Sequence, residues 1–179
     1  MPKAILRAAI GAAVLISTGA LPTPSTSAAP LSAVSLTYLS TGLLYDRATG
    51  RCLDSNAAGK VYTTARSSCG GNNHFQDWQL YYSSAVDEFM LNDYATGRCL
   101  DSNAAGSIYT TSASSCGPGD GYQDWDVNDD TNLGSPYMIY DYRTGRCLDS
   151  DAASNVYTTS GSACGSNDQF QVWNGSFSW

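Results

Sequence analysis

Thr49 to Gly59 reads TGRCLDSNAAG, Thr96 to Gly106 repeats it without change, and Thr144 to Ser154 reads TGRCLDSDAAS. Each copy runs on into Val61-Tyr62-Thr63, Ile108-Tyr109-Thr110 or Val156-Tyr157-Thr158. A second cysteine follows, and then Gln-x-Trp at 76–78, 123–125 and 171–173. The first cysteines (Cys52, Cys99, Cys147) are spaced by 47 and 48 residues, and Cys69, Cys116 and Cys164 follow them by 17. Such a period makes each copy one supersecondary unit that buries its apolar face against its neighbours. Three copies without capping repeats predict a closed threefold body rather than an open solenoid. Any function written into the repeat is then expected up to three times.

Superposing the copies, about 42–88, 89–136 and 137–179, predicts four short strands in each. Leu43-Leu44-Tyr45, Met90-Leu91-Asn92 and Met138-Ile139-Tyr140 open them. A turn at Gly50, Gly97 or Gly145 leads into Arg-Cys-Leu-Asp, whose leucine faces one way and whose cysteine and aspartate face the other. The Val/Ile-Tyr-Thr segment is the third strand, and Gln-x-Trp is placed on the fourth. No stretch sustains a 3.6-residue apolar period, so the fold class is all-β with little helix. Ala33–Leu39 and Ser176–Trp179 alternate well enough to pair with each other and close the ring. Tyr81–Glu88 and Asn128–Pro136 read as polar linkers.

Cys-Leu-Asp and Gln-x-Trp, three times in register, resemble the ricin-B-type (QxW)3 β-trefoil lectins. The fuller string, L-D-S-N, then V-Y-T, then aromatic-Gln-x-Trp, is similar to the actinohivin-like group of mannose-binding actinomycete lectins in that family. The resemblance covers Leu43 to Trp173. It implies a β-trefoil of three four-stranded repeats with pseudo-threefold symmetry, built as a six-stranded barrel capped by three hairpins.

Residues 1–28 read as a signal peptide: Lys3 and Arg7 form the positive start, Ala8–Ile16 the apolar stretch, and Thr26-Ser27-Ala28 the small-residue cleavage site. The expected product is a secreted, extracellular single domain over 29–179. Six cysteines permit 15 pairings, but the repeat favours Cys52–Cys69, Cys99–Cys116 and Cys147–Cys164. In the chain-entropy model each such bridge contributes on the order of 3 kcal/mol, which matters because a single repeat has little core of its own. The net charge is −7, and losing Lys3 and Arg7 moves it to −9. With no basic run, neither nucleic acid nor an anionic membrane is an expected partner. No cofactor or metal is expected, since there is no C-x-x-C and His74 is the only histidine. Asp126-Val-Asn128-Asp129-Asp130 begins like an EF-hand loop, but Thr131 replaces its glycine and Tyr137 its closing glutamate.

Gln76, Trp78 and their counterparts read as architecture: the tryptophan fills the barrel, and a buried glutamine must find backbone partners. Arg51, Arg98 and Arg146 are accounted for as well by ion pairs with nearby aspartates as by ligand contact. The resemblance assigns the sugar to Asp54, Asp101 and Asp149, whose carboxylates suit the neighbouring hydroxyls of a vicinal diol. It pairs them with Tyr62, Tyr109 and Tyr157, which alternation turns outward so that the ring can lie against a pyranose. Phe75, Tyr122 and Phe170 match its second aromatic. A turn aspartate that only bonds its own backbone, and a tyrosine that only covers the trefoil flank, are the competing readings. The chain also departs from the pattern. The asparagine after the second cysteine is replaced by Gly70, Gly117 and Gly165, and Asn72 and Asn167 are the residues expected to reach its space. Ser67, Ser114 and Ser162 stand where galactose-binding relatives carry an aromatic, which argues against galactose.

The function expected is a monomeric, non-catalytic lectin for neutral oligosaccharides or glycoprotein glycans, mannose-rich ones first. The alternative is a protein-interaction or protease-inhibitor module on the same scaffold, because fold alone does not choose. A hydrolase would need an acid–base pair or triad that one histidine and one glutamate do not supply.

Overall fold

The computed structural model describes residues 35–129 and 136–177. The expected leader (1–28), most of the Asn128–Pro136 linker and the last two residues lie outside them. The strands are β1 (Leu36–Gly42), β2 (Leu44–Asp46), β3 (Cys52–Ser55), β4 (Val61–Thr64), β5 (Trp78–Ser83), β6 (Glu88–Asp93) and β7 (Cys99–Ser102). They continue with β8 (Ile108–Thr111), β9 (Trp125–Asp129), β10 (Tyr137–Asp141), β11 (Cys147–Ser150), β12 (Val156–Thr159) and β13 (Val172–Gly175). Helical structure among the described residues is limited to 3-10 turns at Arg66–Ser68, Ala113–Ser115 and Gly161–Ala163.

The barrel ring runs β1–β5–β6–β9–β10–β13–β2 by antiparallel pairing. It closes because β1 and β2 are consecutive and separated only by Leu43. The hairpins β3–β4, β7–β8 and β11–β12 cap it. This is the β-trefoil.

Two expectations about the ring are corrected. The N-terminal segment pairs with β5, from Leu36↔Ser83 to Gly42↔Trp78, and not, among the described residues, with the chain end. The C-terminal strand is already held on both sides, by β10 and β2. Ser176, just beyond that strand, only touches the break in the ring, its N donating to Leu43 O at 3.1 Å. The supposed linkers are in part strand. Tyr81–Ser83 belong to β5 and Glu88 to β6, with the Tyr82 and Phe89 rings packed across the pair at 5.5 Å, so only 84–87 turn. Asn128 and Asp129 continue β9, paired with Met138 and Tyr137, which places residues 126–129 of the EF-hand-like segment in a ladder.

Trp78, Trp125 and Trp173 are fully buried with Leu53, Leu100 and Leu148. Each indole Nε1 donates to the carbonyl of its own repeat's leucine, at 3.2, 3.2 and 3.1 Å. Gln-x-Trp thus ties the barrel to the cap. The glutamine itself precedes the strand, because β5 and β9 start at the tryptophan and β13 at Val172. The three intra-repeat disulfides form as the spacing predicted, with Cα–Cα distances of 5.8, 5.8 and 5.9 Å.

At the cap the hairpins interlock in a cycle. Thr110 N donates to Gly59 O, Thr158 N to Gly106 O and Thr63 N to Ser154 O, at 2.8, 2.8 and 3.1 Å. Gly59 and Gly106 have φ of +89° and +88°, and a Cβ on either would lie 2.8 Å from the facing threonine carbonyl. The repeated arginines close the same cycle. Arg51 Nε donates to Thr63 Oγ1 at 3.1 Å, Arg98 Nε to Thr110 Oγ1 at 3.0 Å and Arg146 Nε to Thr158 Oγ1 at 3.0 Å. Their Nη2 atoms donate to the same threonines' carbonyls, and Arg51 also reaches Ser154 Oγ. Ion pairs with aspartate, one of the two readings the sequence left open, are not what holds them. The planar guanidinium reads a carbonyl and a hydroxyl together, which a hairpin edge supplies.

Candidate functional site

The hairpin register decides which side chains meet. β3 and β4 pair Cys52↔Thr64, Leu53↔Thr63, Asp54↔Tyr62 and Ser55↔Val61, and the other two hairpins repeat this. With a side-chain period of two, Cys52, Asp54, Tyr62 and Thr64 share one face, while Leu53 and Val61 turn to the core. Asp101 with Tyr109, and Asp149 with Tyr157, stand in the same relation.

Internal donors hold each carboxylate. Thr64 Oγ1 and Gln76 Nε2 donate to Asp54 Oδ2 at 2.7 and 2.8 Å. Thr111 and Gln123 do so to Asp101 at 2.5 and 3.1 Å, and Thr159 and Gln171 to Asp149 at 2.6 and 3.0 Å. The Gln Oε1 atoms accept from Gly70, Gly117 and Gly165 N. The signature glutamine therefore bonds backbone, as expected, but its repeated polar partner is the aspartate. All three aspartates are buried, and Asp54 Oδ1 has no hydrogen-bond partner. Burial pushes the Asp101 carboxyl above its ordinary value, against the hydrogen bonds from Thr111 and Gln123. The clamp leaves Asp54 Oδ1 unpaired, whereas Asp149 Oδ1 accepts from Ser150 N at 2.8 Å and the Asp101 carboxyl takes a hydrogen bond from the Ser102 backbone.

The tyrosines stand half-buried opposite these carboxylates. Their hydroxyls donate to the carbonyls of Ser55, Ser102 and Ser150 at 3.1, 2.8 and 3.3 Å. Burial, and then the charge of the facing aspartate, raises the pKa of Tyr62, Tyr109 and Tyr157. Phe75, Tyr122 and Phe170 are half-buried, and their carbonyls accept from Ser55 N, Ser102 N and Ser150 Oγ. The start of each cap hairpin thus carries an aspartate, a tyrosine and a second aromatic.

Sequence reasoning passed over Thr64, Thr111 and Thr159, although the Thr-Thr pair after each tyrosine is invariant across the copies. It also pointed to the wrong asparagine. Asn73, not Asn72, reaches Asp54, its Nδ2 donating to Oδ2 at 3.3 Å. Asp120 and Asp168 occupy the same position in the other repeats, where each accepts from the signature glutamine at 3.4 Å. Among the described residues no group of three or more His, Cys, Asp or Glu is placed to hold a metal.

Solved structures share this architecture. The designed 3-fold symmetric protein ThreeFoil is similar with a TM-score of 0.58 and 24% identity, over 75% of this chain and 96% of its own. The Haemophilus ducreyi cytolethal distending toxin gives 0.60 and 15%, over 75% and 81%. SeviL, solved bound to asialo-GM1 saccharide, gives 0.58 and 10%, over 79% and 99%. No curated protein matches the chain. The family model of the ricin-type beta-trefoil lectin domain matches residues 40–173. With the threefold barrel, the Gln-x-Trp ties and that match in hand, the chain belongs to the ricin-type β-trefoil lectin domain family.

Proposed function

We propose that this protein is an exported, monomeric, non-catalytic lectin over residues 29–179, holding neutral and preferably mannose-rich glycans at three similar sites. The observation that carries the reading is the threefold recurrence of one arrangement: a clamped aspartate, a half-buried tyrosine opposite it and a second aromatic beside the hairpin. Asp54, Asp101 and Asp149, held in place by the Gln–Thr clamp, accept a sugar hydroxyl through the carboxylate. Tyr62, Tyr109 and Tyr157 present the ring face to the pyranose, and Phe75, Tyr122 and Phe170 pack beside it. An unpaired buried carboxylate oxygen, as at Asp54, supports this because such a group gains from a donor brought by a ligand. The preference for mannose rests on the L-D-S-N and V-Y-T likeness to actinohivin-like lectins. Three shallow sites on one rigid body suit branched glycans on glycoproteins, where avidity multiplies a weak single-site affinity.

A glycan array probed with the disulfide-intact protein tests this. Neutral mannose-rich glycans are expected to bind best and anionic glycosaminoglycans least, since the chain carries a net charge of −7. Preference for anionic glycans would contradict the site assignment.

A further inference from the structure

The three repeats differ at one point beside these sites. Two residues before each signature glutamine stand His74, Gly121 and Gln169. In the first repeat His74 Nδ1 bonds Asp77 Oδ2 at 2.8 Å, and its ring lies 5.1 Å from that of Tyr94. The second repeat keeps the outer parts of this arrangement and lacks its centre. Asp124 replaces Asp77, Tyr142 replaces Tyr94, and Gly121 has no side chain to put between them.

An open cavity of about 470 Å³ is found there, lined by Val86, Gly119, Gly121, Asp124, Tyr142 and Arg143. Asp124 is 1% exposed. One of its oxygens accepts from Gly119 N at 2.8 Å, and the other, Oδ1, has no partner. Tyr142 is 56% exposed, and it also lines a second cavity with Asp126, Tyr140, Asp141 and Gly145. The third repeat cannot form this site. Val172 stands at the carboxylate position and Arg47 at the tyrosine position, while Gln169 bonds Ser166 O.

We propose that the Asp124–Tyr142 cavity is an extension subsite, present in the second repeat alone, that takes the next pyranose of a neutral oligosaccharide seated at Asp101, Tyr109 and Tyr122. The proposal rests on the lectin reading above. The loop that walls the cavity with Gly119 and Gly121 carries Tyr122 as its next residue, so one glycan can follow it from site to cavity. A pyranose supplies what His74 supplies in the first repeat: a flat face for the tyrosine and a donor for the carboxylate. The Arg143 guanidinium offers donors to its hydroxyl or ring oxygens. The cavity volume lies in the range of small-molecule sites. The first repeat carries the same subsite plugged by its own histidine.

The test uses the full disulfide-intact chain, titrated by calorimetry with methyl α-mannoside and with α1,2-linked mannotriose. One molar equivalent of mannotriose should bind about tenfold tighter than the monosaccharide, the effect of one further good contact set. The plugging variant is Gly121→His with Arg143→Ala, which copies His74 and Ala95 of the first repeat and removes the Arg143 Cδ that would lie 3.4 Å from a Cβ at 121. It should erase the trisaccharide gain and leave monosaccharide affinity unchanged. Tyr142→Ala should reduce the gain several-fold, and His74→Gly should create a second tight equivalent. A gain that survives plugging, or no gain at all while the monosaccharide binds, overturns the subsite and leaves the lectin reading intact. If neither sugar binds, both fall.

Discussion

The cap axis and the loops over the candidate sites are built from the same three copies, yet the axis keeps its threefold bonding, with Ser154 in place of glycine its one departure, while the loops diverge. At the axis each hairpin turn touches the next through a backbone bond and a guanidinium, so a change in one copy must fit its neighbour. The positions two residues before each signature glutamine are exposed or half-buried and can differ: His74, Gly121 and Gln169 make three different local arrangements. Mutual contact preserves identity, and exposure permits divergence in what each site can hold.

The largest expected effect breaks the axis. Gly106→Ala puts a Cβ 2.7 Å from Arg146 Nη2 and 2.8 Å from Thr158 O, at a φ of +88°. A loss of about 3 kcal/mol in urea denaturation is expected from overlap and left-handed backbone together. Gly117→Ala in the loop has nothing within 4 Å of its Cβ and should stay within about 0.5 kcal/mol. Equal effects at the two glycines would erase the contrast.

The clamp lies between these regions. Gln123→Ala removes the amide that holds the buried Asp101 carboxylate. About 2 kcal/mol of stability should be lost at pH 7, and the Asp101 carboxyl, already raised by burial, should rise further in a carboxylate NMR titration.

The smallest effect is electrostatic and sits near the second-repeat loop. Burial, then Asp126, Asp124 and Asp87, raises the Glu88 carboxyl to about 7. A carboxyl raised on folding favours the folded state below its unfolded value of 4.5 and loses that contribution as pH climbs through about 7. Glu88→Gln should therefore raise the melting temperature at pH 8 and leave it unchanged at pH 4. The gain should be under about 1 kcal/mol after solvent screening. A gain that is equal at both pH values would show that the charge is not the cause.

The parts of the fold that recur within one repeat were legible in the sequence. Cys52–Cys69, the alternation of Leu53 and Asp54, and the burial of Trp78 are all set by local spacing. What depended on another repeat was not. Arg51 looked like a partner for an aspartate because one of its true partners, Ser154, meets it only when hairpins from the first and third repeats are adjacent, while the other, Thr63, lies across its own hairpin. The pairing of β1 with β5 was hidden for a different reason, since alternation in a terminal strand does not name its neighbour. At the site, the aspartate, tyrosine and aromatic positions stood out by recurrence. The threonine clamp recurred as well but was hidden behind the more conspicuous tyrosine. Asn73 was masked by its neighbour Asn72, and only the hairpin geometry separates them.

The central claim is that three equivalent Asp–Tyr faces bind sugar. The aspartates also hold the loops, so the tyrosines give the cleaner test. Tyr62, Tyr109 and Tyr157 should be changed to phenylalanine and to alanine, singly and together, and binding to a mannose-coated surface measured with the fold checked by circular dichroism. Each alanine should weaken multivalent binding by a similar step and the triple variant should abolish it, while phenylalanine, which keeps the ring face, retains most of it. Loss of all binding from a single alanine, or full binding by a folded triple variant, would contradict the three-site account.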